Sequence, residues 1–363
     1  VQAWHFGTIV PCAALSNMLV TPLASVLVIP MGLLCLLVSL VWADALVIAA
    51  QLAECLVAFT ESIARLMGGE WVVGRWVTPL LLMPFVAALF YPHRRACVIL
   101  MCGLTGWAVW MKPPGEVVDF LSVGQGDAIL IRSEGTVAMI DAGPSPNARA
   151  LRQYLRTQGI AQIDQLFITH HHPDHYRGLA GLLDTVPITR LIHSGRIAAD
   201  SEWNDLLART RESGTLIEIA VSGDRQLGLL NVRLFAPLAS PWVSENDGSL
   251  AVRLDGPTRS ILLTGDLEEL GEAYLTAERP GRVDILKLGH HGSRTSTSEA
   301  LLDAVQPQFA VVSLGMGNRY GFPHDIVVDR LSVRGIPLLR TDLDGLVRVH
   351  LDGRSAFSLP VSP

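Results

Sequence analysis

Hydrophobic positions divide the chain into two unlike stretches. Residues 7–43 carry no acidic or basic side chain, a run about twice the roughly 20 apolar residues that a bilayer-spanning helix needs. Pro30-Met31-Gly32 breaks the run, so the pattern predicts one helix near 9–29 and a second starting near 31. Asp44 either ends the second run at the interface or stands inside the membrane as a functional acid. Over 45–66, Gln51, Glu54, Glu61 and Arg65 recur at helical spacing on an apolar background. That is an amphipathic helix, lying in the interface, facing a polar lumen, or packed on its neighbours with one wet edge. Trp76–Pro92 and Ala96–Met111 read as a short helical hairpin around His93-Arg94-Arg95. Positive charge in a short loop favours the cytoplasmic side, which puts the chain after Met111 on the outer side. The alternative is a peripheral hairpin buried in protein.

From Glu116 the pattern shortens to strands. Val117–Val123, Ala128–Arg132 and Thr136–Ile140 are aliphatic and β-branched, with turn residues between them. A helix over Asn147–Gly159 is followed by strands near 165–169 and 190–193, with helices between and after. A second set runs through Asn231–Phe235, Ser249–Leu254, Ser260–Leu263, a helix near 267–277, Val283–Leu288, a helix near 297–305 and Phe309–Leu314, with a last helix after Pro323. Two β-rich halves, each followed by helices, predict an α/β fold of two sheets packed face to face with helices outside. The domain division is therefore 1–111 as transmembrane helices, Lys112-Pro113-Pro114-Gly115 as linker, and 116–363 as a soluble domain.

Composition sharpens this division. Residues 1–115 hold four acids and five bases, and the remainder holds 30 acids and 23 bases. The soluble part is acidic and does not advertise nucleic-acid binding by bulk charge. All five cysteines lie before Lys112, so the soluble part has neither a disulfide framework nor a cysteine-based zinc site. No signal-peptide pattern is visible. The chain starts on Val1 inside an apolar run, the expectation for a C-terminal fragment.

The candidate chemistry is concentrated after the strand near 165–169. His170-x-His172-x-Asp174-His175 places four metal-ligand types within six residues, and imidazole with carboxylate suits zinc, manganese or iron. Strand C-termini are where open α/β sheets place their chemistry. Three other motifs also end predicted strands: Ile140-Asp141-Ala142-Gly143, Leu263-Thr264-Gly265-Asp266 and Gly289-His290-His291-Gly292-Ser293. Together they read as a site for two divalent ions. His170 and His172 hold one; Asp174, His175 and one of His290 and His291 hold the other; Asp266 bridges them. Two such ions polarise a water and clamp attacking and leaving oxygens. Asp141 would orient a ligand histidine by accepting its other N–H.

These motifs resemble the metallo-β-lactamase fold, an αββα sandwich. A closer resemblance, to ComEC-type DNA-internalisation competence proteins, is carried by Val123-Gly-Gln-Gly-Asp127, Glu245-Asn-Asp-Gly-Ser-Leu250, Thr264-Gly-Asp266 and Leu286-Lys-Leu-Gly-His-His-Gly-Ser-Arg-Thr-Ser-Thr297. His5-Phe6, Ala14-Leu-Ser-Asn17 and Pro22-Leu-Ala resemble the end of that family's membrane channel. The resemblance implies a multi-pass protein of the bacterial cytoplasmic membrane with its soluble domain outside. Its implied partners are DNA, the membrane and other competence proteins. One strand would pass through the channel while the lactamase-like domain hydrolyses the other with zinc or manganese. It further implies that Asp127 and Asn246 support the ligands, Asn246 or Asp247 standing in for a ligand histidine that the wider superfamily has between these motifs. His193 is the histidine available in that interval, on a strand that ends too early. His172 departs from relatives with Asp there.

Within the resemblance, His290 is the expected ligand. His291 then contacts phosphate, acts as an acid for the leaving oxygen, or only bonds the glycine-rich turn. Gly321-Phe322-Pro323-His324 stands where relatives have Gly-His-Pro, so His324 either takes a site role or caps the next helix. Asp174 is carried as a catalytic residue as well as a ligand. Arg294, Arg319 and Lys287 are the expected DNA contacts, Lys287 with a structural alternative. Ser293, Thr295 and Ser296 either donate to phosphate or only form the turn, and Arg149, Arg152 and Arg156 form a helix stripe that either contacts DNA or is a solvated face. Two other functions compete. One is a non-catalytic DNA-binding or gating domain with an incomplete metal site. The other is a hydrolase of small esters or thioesters.

Overall fold

The computed structural model describes residues 8–9, 71–72, 115–196, 201–236, 243–352 and 357–359. The helices expected near 9–29, 31–43, 45–66, 76–92 and 96–111, and the boundary at 112–115, lie almost wholly outside the described residues. Among those described, no helix is long and apolar enough to cross a membrane. The chain divides into two compact units, Val1–Val109 with Arg156–Gly159, and Trp110–Leu155 with Ile160–Pro363. In the first, β1 (Thr8–Ile9) and β2 (Trp71–Val72) form an antiparallel pair.

The second unit is built from two mixed sheets. Strands β3 (Val117–Phe120), β4 (Ile129–Ser133), β5 (Thr136–Ile140), β6 (Ile163–Ile168), β7 (Ile188–His193) and β8 (Leu216–Ile219) run in sequence across one sheet. Strands β9 (Gly223–Leu227), β10 (Leu230–Phe235), β11 (Ala251–Asp255), β12 (Ser260–Leu263), β13 (Ile285–Lys287), β14 (Phe309–Val312) and β15 (Leu338–Arg340) form the other. The chain then returns to the first sheet, where β16 (Leu346–His350) pairs with β3 and β17 (Phe357–Leu359) closes the edge.

Alternation along the strands sorts side chains into two faces. Val118, Phe120, Ile129, Ile131, Ile140 and Phe167 of the first sheet meet Val232, Leu234, Val252, Leu254, Ile261 and Leu263 of the second in one buried cluster. The opposite face of the first sheet, with Leu130, Met139, Leu166 and Leu191, is covered by helices α1 (Arg149–Thr157), α2 (Pro173–Tyr176), α3 (Gly178–Leu183) and α4 (Ser201–Glu212). The outer face of the second, with Leu262, Leu286, Ala310 and Val312, is covered by α5 (Glu269–Ala277), α6 (Glu299–Val305) and α7 (Asp325–Val333). The result is the expected αββα sandwich.

What positions the site is parallel pairing. β5, β6 and β7 are parallel in one sheet, as are β12, β13 and β14 in the other. Parallel strands bring successive C-terminal ends to the same edge, so the segments after Ile140, Ile168, Leu263 and Lys287 gather there. Backbone closeness then fixes the loops. The Ala142 amide donates to the His175 carbonyl at 2.7 Å, and the Gly178 amide to the Gly143 carbonyl at 2.9 Å. A Cβ on Gly178 would lie 1.9 Å from the Ala142 oxygen, so a side chain there cannot coexist with this docking.

Candidate metal centre

Six connections supply the centre, five of them through charged or imidazole side chains and one, after β14, through the Ser313 carbonyl. Pro173 begins α2, where its missing N–H costs nothing, and the helix carries Asp174 and His175 inward. Asp141, directly after β5, is fully buried and adopts φ 58°. Its carboxylate accepts from the Thr169 amide at 2.8 Å, the Thr169 hydroxyl at 2.8 Å and His175 Nδ1 at 2.7 Å. That fixes the His175 tautomer and turns Nε2 toward Asp266 Oδ2, 3.3 Å away, and Asp174 Oδ2, 3.8 Å away.

Two further histidines are held in the same manner. His291 Nδ1 donates to the Ser313 carbonyl at 3.0 Å, leaving Nε2 3.3 Å from Asp174 and 3.5 Å from Asp266. His170 Nδ1 lies 3.1 Å from the Thr169 hydroxyl. Since that hydroxyl donates to Asp141, the ring donates to it and presents Nε2, 4.0 Å from Asp266 Oδ2. One ligand atom from each of Asp174, His175, Asp266 and His291 lies within 4.8 Å of all the others. The Nε2 atoms of His170, His175 and His291, and Asp266 Oδ1, are buried without a hydrogen-bond partner.

Buried polar atoms are ordinarily satisfied. Three imidazole nitrogens converging beside Asp266 Oδ2, each histidine already oriented through its other nitrogen, fit a divalent cation bound by nitrogen and oxygen.

The electrostatics follow from burial against opposed charge. Burial disfavours the His175 imidazolium, but Asp266, Asp141 and Asp174 outweigh it and raise its pKa well above the ordinary value. Burial likewise opposes charge on His291, and Asp266 and Asp174 raise it. His170 goes the other way: burial, then the charge on His175, lowers it well below. Burial would raise Asp266, but His291, His175 and Lys287 hold its carboxyl well below the usual range. Asp174 is lowered too, against its burial, chiefly by His175 and His291.

Lys287 lies beneath this cluster rather than facing solvent. It is 0% exposed, bonded to Asp127 and, at 2.8 Å, to the Gly265 carbonyl, with Asp266 Oδ1 3.6 Å away. The expected DNA contact is therefore corrected: Lys287 is an internal counter-charge, as its place in buried β13 requires. Asp127 is brought to it by Gly126 at φ 141°, where a Cβ would fall 2.1 Å from the Asp174 carbonyl oxygen.

The expectation for the histidine pair is reversed. His291 joins the cluster, while His290 turns away to Glu268 at 3.1 Å and to the Asn246 amide at 3.3 Å. Both residues adopt positive φ in a tight turn, so strand parity does not carry through to them. His172 is half-buried, its ring 4.7 Å from that of His170. The ring of His175 lies 4.2 Å from that of His170, but among the described residues no histidine from between His175 and Asp266 joins the pair. His193 instead lies 6.0 Å from the His171 ring and 5.7 Å from Trp203, and Asp247 accepts from the Glu268 and Gly271 amides at the start of α5.

The remaining candidates lie further out. His324 Nδ1 accepts from the Arg294 amide at 2.9 Å, and makes no side-chain cap to α7. Arg294 and Arg319 are exposed. Ser296 donates to the Gly289 carbonyl and Thr295 to Glu268, both at 2.6 Å, as turn-forming residues do. Sequence reasoning missed the Ser313 carbonyl, which orients His291 with no side chain to signal it. It named Asp127 and Lys287 but not their pairing.

The family model of the metallo-beta-lactamase superfamily matches residues 121–315, and that of the competence proteins matches residues 1–122. ComE operon protein 3 of Bacillus subtilis is 32% identical over 265 residues, covering 67% of this chain and 34% of that protein. Recombination protein 2 of Haemophilus influenzae is 31% identical over 258 residues, covering 70% and 31%. Competence protein ComA of Neisseria gonorrhoeae is 29% identical over 312 residues, covering 83% and 43%. The chain thus spans less than half the length of each of these curated relatives. With a competence segment running directly into a lactamase-fold domain, the chain belongs to the metallo-beta-lactamase superfamily and, within it, to the ComEC-type competence proteins.

Proposed function

We propose that this chain is a component of a DNA-uptake channel in the bacterial cytoplasmic membrane, with residues 116–363 on the outer side hydrolysing phosphodiester bonds of the strand that is not transported. The observation that carries the reading is the converging set of Asp174, His175, Asp266 and His291, all within 4.8 Å, in a chain whose preceding segment matches competence proteins. Zinc or manganese would be held there, with His170 and His172 offering a second position that shares Asp266. Such ions lower the pKa of a bound water and stabilise charge on phosphoryl oxygens.

The chain's own residues do the rest. Asp141, Ser313 and Thr169 keep three Nε2 atoms turned toward Asp266. Lys287 lies beneath Asp127 and Asp266 and adds to the stronger effects of His291 and His175 that hold the Asp266 carboxyl well below the usual range. Asp174 has the most exposed side chain of the four, 33% against 2% or less, and so meets the substrate side. The exposed Arg294 and Arg319 supply positive charge for phosphate on an otherwise acidic domain, and channel and DNA are joined by other competence proteins as partners.

Incubated with manganese or zinc, the purified full chain in detergent should nick or shorten DNA. Asp266→Ala should abolish this while leaving the fold intact. A metal-loaded, folded protein with no activity on any DNA would sink the proposal. A second reading, a non-catalytic DNA-binding or gating domain, is favoured because, among the described residues, His170 and His172 lie outside the close cluster of Asp174, His175, Asp266 and His291. Metal stoichiometry near zero after mild purification would select it.

A further inference from the structure

The connection between β14 and α7 carries an aromatic series that the metal site does not use. Phe322 packs against the core beneath the outer helices. Its ring lies 6.5 Å from that of His291 with the planes 26° apart, and meets His290 at 5.6 Å and His324 at 5.1 Å edge-on. Tyr320 continues outward, 5.6 Å from Phe322 and only 17° from parallel. The Arg319 guanidinium lies 5.4 Å over the Tyr320 ring. Near-parallel π faces therefore lead in two ring-to-ring steps from a metal-ligand candidate to solvent.

Tyr320 is 51% exposed, so burial does not explain its stacking. One face is held by a ring that is itself packed on the core, and Arg319 lies beside it, its guanidinium donating to the Tyr320 hydroxyl at 3.5 Å. Every nucleobase offers a π face to such a surface, and base–aromatic stacking is tolerant of sequence. In a duplex those faces are covered by neighbouring bases. Guanidinium next to the ring adds cation–π attraction and a phosphate contact.

We propose that Tyr320, backed by Phe322 and flanked by Arg319, is a nucleobase-stacking platform that delivers an unpaired strand to the metal centre. The proposal rests on the DNA reading above and adds strand selectivity: single strands and frayed ends engage, and paired bases do not.

The test uses the purified full chain with EDTA, which keeps the strand intact. The probe is a short oligothymidylate carrying one 2-aminopurine, compared with an oligomer of equal length made abasic and with a duplex. Tyr320→Ala should weaken binding of the base-bearing strand on the order of tenfold and remove the fluorescence quenching that reports stacking. Abasic and duplex binding should not change, and Tyr320→Phe should behave as the unaltered chain. If Tyr320→Ala weakens base-bearing and abasic strands alike, or neither, while the unaltered chain binds, the platform is overturned and the DNA reading stands. If the unaltered chain binds no strand of any kind, both fall together.

Discussion

Asp141 and His291 show how little of a metal site is written in its ligand types. His290 and His291 are adjacent and chemically identical, yet only the second presents a buried Nε2 to Asp174 and Asp266. The difference is one carbonyl, that of Ser313, placed by the end of β14. His291→Ala should therefore lower zinc affinity far more than His290→Ala, which should leave stoichiometry unchanged; calorimetric titration of both variants decides it. Equal losses would mean that the histidine pair acts together. Asp141 makes a subtler demand, because it never faces the cluster. Replacing it with Asn keeps the shape but removes the anionic acceptor that pins His175 Nδ1. Partners that orient a ligand histidine are typically worth about 10- to 100-fold in metal affinity, and Asp141→Asn should lose that much with the fold retained by circular dichroism.

At the scale of elements, strand ends and helix starts determine which residues meet. The four-ligand run after β6 was legible because its ligands are contiguous and follow an apolar strand. The two sheets were legible from β-branched runs such as Ile129–Ser133 and Thr136–Ile140. By contrast, β9 has the sequence Gly-Asp-Arg-Gln-Leu and is mostly exposed, so hydrophobic alternation could not mark it. It exists through its register with β10. The parity of His290 and His291 was equally hidden, since a turn with positive φ erases the period of two.

Glu272 offers a further element-scale prediction. It lies within α5, fully buried, and accepts from the Ser298 amide at 2.8 Å ahead of α6. Burial pushes its carboxyl up from 4.5 to about 7, against those hydrogen bonds and Arg330. A carboxyl raised in the folded state contributes stability that is complete below the unfolded value of 4.5 and is lost as pH rises through about 7. The stability difference between the unaltered chain and Glu272→Gln should shrink over that window by up to about 3 kcal/mol. Urea melts at intervals between those pH values measure it, and a pH-independent difference would refute the assignment.

At the scale of the whole domain, the centre is a seam between two sheets. Asp141, His170 and His175 belong to the first sheet's edge, and Asp266 and His291 to the second's. The seam brings carboxylates from both sides into a buried interior, where cationic side chains offset their mutual repulsion. Lys287 is one of them, beside His175 and His291. It reaches Asp127 from the first sheet and Asp266 from the second, with no exposure to water. Removing one partner of a buried pair costs about 3–5 kcal/mol, because the other charge is left uncompensated. Lys287→Met should destabilise the domain by that amount in denaturant melts. Lys287→Met combined with Asp127→Asn should recover part of the loss, since the orphaned carboxylate is then gone. Added zinc should also stabilise Lys287→Met more than the unaltered chain, as a bound cation takes over the neutralisation of Asp266. If Lys287→Met melts like the unaltered chain, the two sheets are held by their apolar interface alone, and the lysine has no part in keeping the carboxylates together.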